Sequence, residues 1–148
     1  MMQDVVITIN SAQRSDPEGE DAIEFSTDGL YTFDGENACL TYMESDVTGL
    51  TGTRTSVMVM PDKVAVDRDG MITSRMIFQI GRKNAFQYAT PYGTATLSFD
   101  TRRIEKNFDA EGGELLIDYV VDVEHSIVSQ NLFKLSVKKQ KQVVRNYV

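Results

Sequence analysis

The chain has one cysteine and one histidine in 148 residues, and these two shortages exclude a good deal. With Cys39 alone no intrachain disulfide can form, so a reducing, cytoplasmic setting is expected. A zinc site built from histidine and cysteine needs about four ligands, or three plus water, more than Cys39 and His125 can supply. No EF-hand spacing is present either, so neither a metal nor a cofactor is expected. No stretch approaches the ~20 apolar residues of a membrane helix. Met1-Met2-Gln3-Asp4 shows neither the positive segment nor the apolar run of a secretory leader, and none is expected. No glycine-rich phosphate loop opens a helix, and there is no nucleophile elbow. No repeat of 20–50 residues points to a propeller or solenoid.

The net charge of -7 sets the chain against phosphate backbones and anionic lipid, so neither nucleic acid nor membrane is an expected partner. The exception is a locally basic C-terminal tail over 138–148, with Lys138, Lys139, Lys141 and Arg145. A run of that kind reads as a solvated end.

What the chain does have is strand pattern. Its length suits one domain over 1–148, and its apolar fraction of 41% can supply a core without staples. Val5, Ile7 and Ile9 alternate; Ser11 to Asp21 is polar and reads as a loop. Ile23, Phe25 and Thr27 resume the alternation, and Tyr31 and Phe33 continue it past Gly29. Asp34-Gly35-Glu36-Asn37 is a hairpin turn by composition. The returning strand puts Ala38, Leu40, Tyr42 and Glu44 on one face and Cys39 on the other. Further strands follow over 53–60, 63–67, 72–80, 86–90, 94–99 and 101–108. Glycine-rich turns such as Asp69-Gly70 and Gly81 to Asn84 lie among them. Leu115, Ile117, Tyr119, Val121 and Val123 face inward, with Glu114, Asp118, Asp122 and Glu124 toward water. A last strand carries Phe133, Leu135 and Val137. Short connections require antiparallel neighbours. Strands of this number close to remove their edges, which predicts an all-β antiparallel barrel of about eight to ten strands with little or no helix.

Leu40-Thr41-Tyr42-Met43-Glu44, Arg68-Asp69-Gly70, Phe78 with Gly81, and Tyr88-Ala89-Thr90-Pro91-Tyr92-Gly93 form an ordered set. Asp100-Thr101 and Gly113-Glu114-Leu115 with Tyr119 complete it. In this order and spacing the chain resembles the DUF1934, or YwiB-like, family of bacterial proteins over Ile23 to about Val137. The resemblance implies a calycin-like (lipocalin-like) β-barrel. It brings no activity with it, and lumenal ligand binding by analogy with calycins would rest on fold alone.

The candidate site comes from polar residues on apolar faces. Strand parity sets Glu44 with Leu40 and Tyr42, and Arg68 with Val64 and Val66. Charges there must either pair with each other or sit at a solvated mouth. Tyr42, Tyr88 and Tyr119 share the inward face, and Thr55 joins them with Thr53. Together Tyr42, Glu44, Thr55, Arg68, Tyr88 and Tyr119 are the candidate ligand-binding set, with no catalytic residue among them. Cys39 reads as a packed small residue and His125 as a surface residue. Three functions compete. The first is a barrel holding a small molecule in an unfilled lumen of roughly 300 Å³ or more. The second is a packed barrel, monomeric or homodimeric, presenting an apolar patch near Met58 and Met60. The third and least favoured is an enzyme working with carboxylates, tyrosines and arginines.

Overall fold

In the computed structural model, residues 2–15, 19–70, 73–90, 93–123 and 126–140 are described, with backbone alone at 86–90 and 95. The strands are β1 (Gln3–Ser15), β2 (Gly19–Phe33), β3 (Ala38–Met43), β4 (Arg54–Val59) and β5 (Val64–Asp69). They continue as β6 (Ser74–Phe78), β7 (Lys83–Thr90), β8 (Gly93–Asp109), β9 (Gly112–Val123) and β10 (Ser126–Lys139). Every regular element among the described residues is a strand, as the alternation predicts.

All ten strands belong to one antiparallel sheet in the order β6-β5-β4-β3-β2-β1-β10-β9-β8-β7. The first and last strands therefore pair in the middle of the sheet, Ile7 opposite Val137. The sheet curls into a nearly closed barrel whose seam lies between β6 and β7. Across the seam Phe78 of β6 packs its ring 5.6 Å from Phe99 of β8 and 4.8 Å from Tyr119 of β9. At the same seam the Lys106 ammonium of β8 donates to the Met60 carbonyl after β4.

The inward faces carry the core: Val5 and Ile7, Tyr31, Leu40, Val57, Val64, Ile117 and Leu135 are buried. Gly29 is needed inside β2 because Ile7 crosses it so closely that a Cβ there would collide with the Ile7 side chain. Gly35 holds φ +98° in the predicted hairpin turn, a left-handed conformation that glycine adopts at no steric cost. Asp34 accepts the Glu36 and Asn37 amides there at 2.9 and 2.6 Å.

Four sequence expectations change. The segment 11–21 is not a loop: β1 runs to Ser15 and β2 begins at Gly19, with Arg14 opposite Glu20. Over 11–14 the β1 backbone is paired on both sides, with β2 and with β10, Arg14 facing Gln130; the side chains there are polar because water covers them. The runs 94–99 and 101–108 are one strand, β8. A bulge between Thr101 and Arg103 shifts the register, so that Thr101 and Ile104 both turn to the core. Asp122 does not face water: it is 6% exposed and meets the Lys83 ammonium at 2.6 Å. The start of the expected basic tail is strand. Lys138 and Lys139 are strand residues opposite Val6 and Val5, and residues 141–148 lie outside the described residues.

Candidate functional site

The register lines four polar or aromatic positions in one row on the inward face. Tyr42 of β3 lies opposite Thr55 of β4, Thr55 opposite Arg68 of β5, and Arg68 opposite Ser74 of β6. Residues directly opposite on antiparallel strands stand about 4.5–5.5 Å apart, so side chains in the row touch their neighbours. Four of the six expected residues, Tyr42, Glu44, Thr55 and Arg68, thus come together at the end of the barrel that carries the 44–53 connection.

Glu44 is only 6% exposed. One carboxylate oxygen accepts the Thr55 hydroxyl at 2.8 Å, and the other accepts the Thr48 hydroxyl at 2.8 Å. Its amide donates to the Thr53 carbonyl at 2.8 Å. The carboxylate therefore ties the connection to the barrel wall. Gly70 completes the fit: a Cβ there would stand 2.5 Å from Thr53 Oγ1. The solvated mouth expected for Glu44 is thus a buried hydroxyl-lined socket, and no Glu44–Arg68 ion pair occurs among the described residues.

Arg68 is left differently. Its Nε is buried with no hydrogen-bond partner. The guanidinium still acts on its surroundings. Burial, with the Glu44 carboxylate next, raises the Tyr42 hydroxyl above the ordinary tyrosine range, and Arg68 works against that rise. Burial likewise raises Tyr119, again opposed by Arg68. Tyr119 of β9 thus feels the same charge. It stands across from Thr101 on β8, and its ring lies 5.8 Å from Phe99.

Two further buried polar atoms lack partners, both on the β7–β8 wall: Thr101 Oγ1 and Asn84 Nδ2. Thr101 is 2% exposed, and Asn84 faces Phe99 across the β7–β8 pair. Sequence reading missed both. Thr101 shares parity with Phe99 and was within reach of that signal; Asn84 fell in a segment read as turn. Tyr88 stands opposite Ala95 in the β7–β8 ladder, but its side chain lies outside the described residues, as does His125. Cys39 is half-buried and its thiol is pushed up, first by burial and then by Asp67, which suits packing and not nucleophilic use.

The far end of the barrel contrasts with this. The Tyr31 hydroxyl donates to the Asp109 carbonyl at 2.7 Å, and Gln3 donates to the Ala110 carbonyl at 2.9 Å. Burial, and then the Asp109 carboxylate, push Tyr31 up to about 12. Outside the barrel, a cleft of about 470 Å³ runs over β8, β9 and β10 past Glu105, Glu114 and Leu116. It meets another of about 420 Å³ over Ala12, Ala22 and Leu132 at Asn10 and Lys134. These shallow outer grooves hold no buried unpartnered polar atom; the lumen does.

The model of a family described as a domain of unknown function, DUF1934, matches residues 7–135. An uncharacterized beta-barrel protein, YwiB of Bacillus subtilis (strain 168), is 28% identical over 124 residues, 83% of this chain and 86% of that protein. The crystal structure of the YwiB protein from Bacillus subtilis superposes with a TM-score of 0.80 at 23% identity, covering 95% of this chain and 94% of that one. At that identity the superposition establishes the fold.

Proposed function

The chain belongs to the DUF1934 family of YwiB-type β-barrels, and we propose that it binds a small molecule in the lumen between Arg68 and Tyr119. The observation that carries this reading is the buried, unpartnered Nε of Arg68. A buried donor without an acceptor costs about 1–3 kcal/mol, and a charged one is retained more readily if something meets it. Tyr42, Thr55 and Glu44 form the fixed wall of the site, Tyr119 and Thr101 the facing wall. The calycin-like character expected from the family resemblance and the cytoplasmic setting suggested by the lone Cys39 both belong to this reading.

One observation favours a packed barrel that works through its surface. Phe78, Phe99 and Tyr119 stack within 4.8–5.8 Å of one another and fill part of the interior. On the outer face Met58 stands between Cys39 and Ala65, and Ala65 faces Ile77, which makes an apolar row there. Native mass spectrometry of protein purified from its own host, set against the denatured mass, separates the two. A retained adduct that disappears in a folded Tyr119→Ala variant supports the lumenal site. A clean mass at one or two chains favours the packed barrel.

A further inference from the structure

We infer that the group the lumen binds is a carboxylate, received by the Arg68 guanidinium with Thr101 and Tyr119 beside it. The inference rests on the lumenal reading above and adds the chemistry of the ligand. It follows from an inventory of what is already satisfied. Glu44 is the carboxylate in the cluster, and each of its oxygens already accepts a hydroxyl, from Thr55 and from Thr48. The atoms left over are an Arg68 N–H, an Asn84 amide N–H₂ and a Thr101 hydroxyl. The first two can only donate, and the third can donate. The complement of such a set is a group made of acceptors.

Charge narrows it. Among the described residues no carboxylate stands within ion-pair distance of Arg68, yet its Nε is withdrawn from water. A guanidinium presents a planar fork that matches the two oxygens of a carboxylate. A dianion such as phosphate would set two negative charges near Glu44, whose carboxylate already bears on the same Tyr42 hydroxyl as Arg68. A single negative charge answers the Arg68 guanidinium, which has no carboxylate partner among the described residues. Beside the donors stand the rings of Phe78, Phe99 and Tyr119, which suit an apolar or aromatic body attached to the carboxylate.

The test uses the full chain purified from its own host as wild type, Arg68→Met, Arg68→Lys and Thr101→Val. Adduct occupancy is read by native mass spectrometry, and the released compound is assayed for an acidic group by accurate mass before and after methyl esterification. The expected result is a compound that gains one methyl ester. Its occupancy falls roughly ten- to a hundredfold in Arg68→Met, as loss of a charged hydrogen bond implies, and less in Arg68→Lys, which keeps the charge without the fork. Thr101→Val, nearly isosteric, lowers occupancy by a smaller factor and gives the readout should Arg68→Met not fold. A compound without an acidic group, or full wild-type occupancy in folded Arg68→Met, overturns the carboxylate and leaves a lumenal ligand standing. Absence of any adduct from the wild type overturns both.

Discussion

The two ends of this barrel bury polar groups in opposite ways. At the end carrying the 34–37 turn, the buried Tyr31 hydroxyl is matched by the Asp109 carbonyl, and Gln3 and Lys139 tie down Ala110 and Glu111. Toward the end carrying the 44–53 connection, one wall is equally well matched, with each Glu44 oxygen accepting a threonine hydroxyl. The other positions, Arg68 and Thr101, bury donors that nothing in the described protein accepts. An unmet buried donor is a cost that selection for stability alone would remove. The closed end therefore reads as architecture, and the unmet donors mark the half of the lumen on which the proposed site rests.

Substitutions test this contrast because the two classes of site must respond with different signs. The largest effect is expected for Glu44→Leu, which orphans the buried Thr55 hydroxyl and leaves Thr48 only its 3.1 Å bond to the Ser45 carbonyl. It should lower stability by about 2–4 kcal/mol in urea unfolding, and a loss under half a kcal/mol would show the socket to be dispensable. Gly70→Ala forces Thr53 aside and should cost about 1–3 kcal/mol by the same measurement. Tyr31→Phe strands the Asp109 carbonyl and should cost about 1–2 kcal/mol. Thr101→Val and Arg68→Met should by contrast leave ligand-free stability unchanged or raise it by up to about 1 kcal/mol, because each removes an unmet donor. A clear loss of ligand-free stability in both variants would erase the distinction between the two ends.

The tyrosines add a pH test. Tyr31 has a folded pKa of about 12 against an ordinary 10.0, and Tyr42 and Tyr119 are raised in the same direction. A raised acid stabilises the fold in its protonated form. The contribution is complete below about pH 10 and is lost as pH climbs through about 12. Chemical unfolding between pH 9 and pH 12 (roughly the range of tyrosine titration) should show stability falling on the alkaline side, and Tyr31→Phe should flatten the decline without abolishing it.

Strand parity alone put Tyr42, Glu44, Thr55 and Arg68 on inward faces, because a period of two leaves little freedom once one face is apolar. The hairpins at Asp34-Gly35 and Asp69-Gly70 were equally legible from their turn chemistry. Partnership was not. The carboxylate and guanidinium looked like a pair because they were the charged residues at inward positions; the structure gives Glu44 to Thr48, a loop residue with no periodicity to reveal it. Thr101 shares the parity of Phe99 and was passed over for another reason. The bulge after it joins two runs that alternation alone separates, and Asp122 was misread because an outward parity says nothing of Lys83 arriving from β7.

From its sequence this chain is determined to be an antiparallel β protein of DUF1934 type, with its apolar residues on one face of each strand. Local alternation and turn residues carry that information within a few residues of each position. Where the seam falls, which buried donors find acceptors and which stay unmet depend on register across strands far apart in sequence. Those were decided only when β1 paired with β10 and the sheet curled to bring β5 opposite β9, because hydrogen bonds are short-ranged and directional, and sequence separation does not measure them.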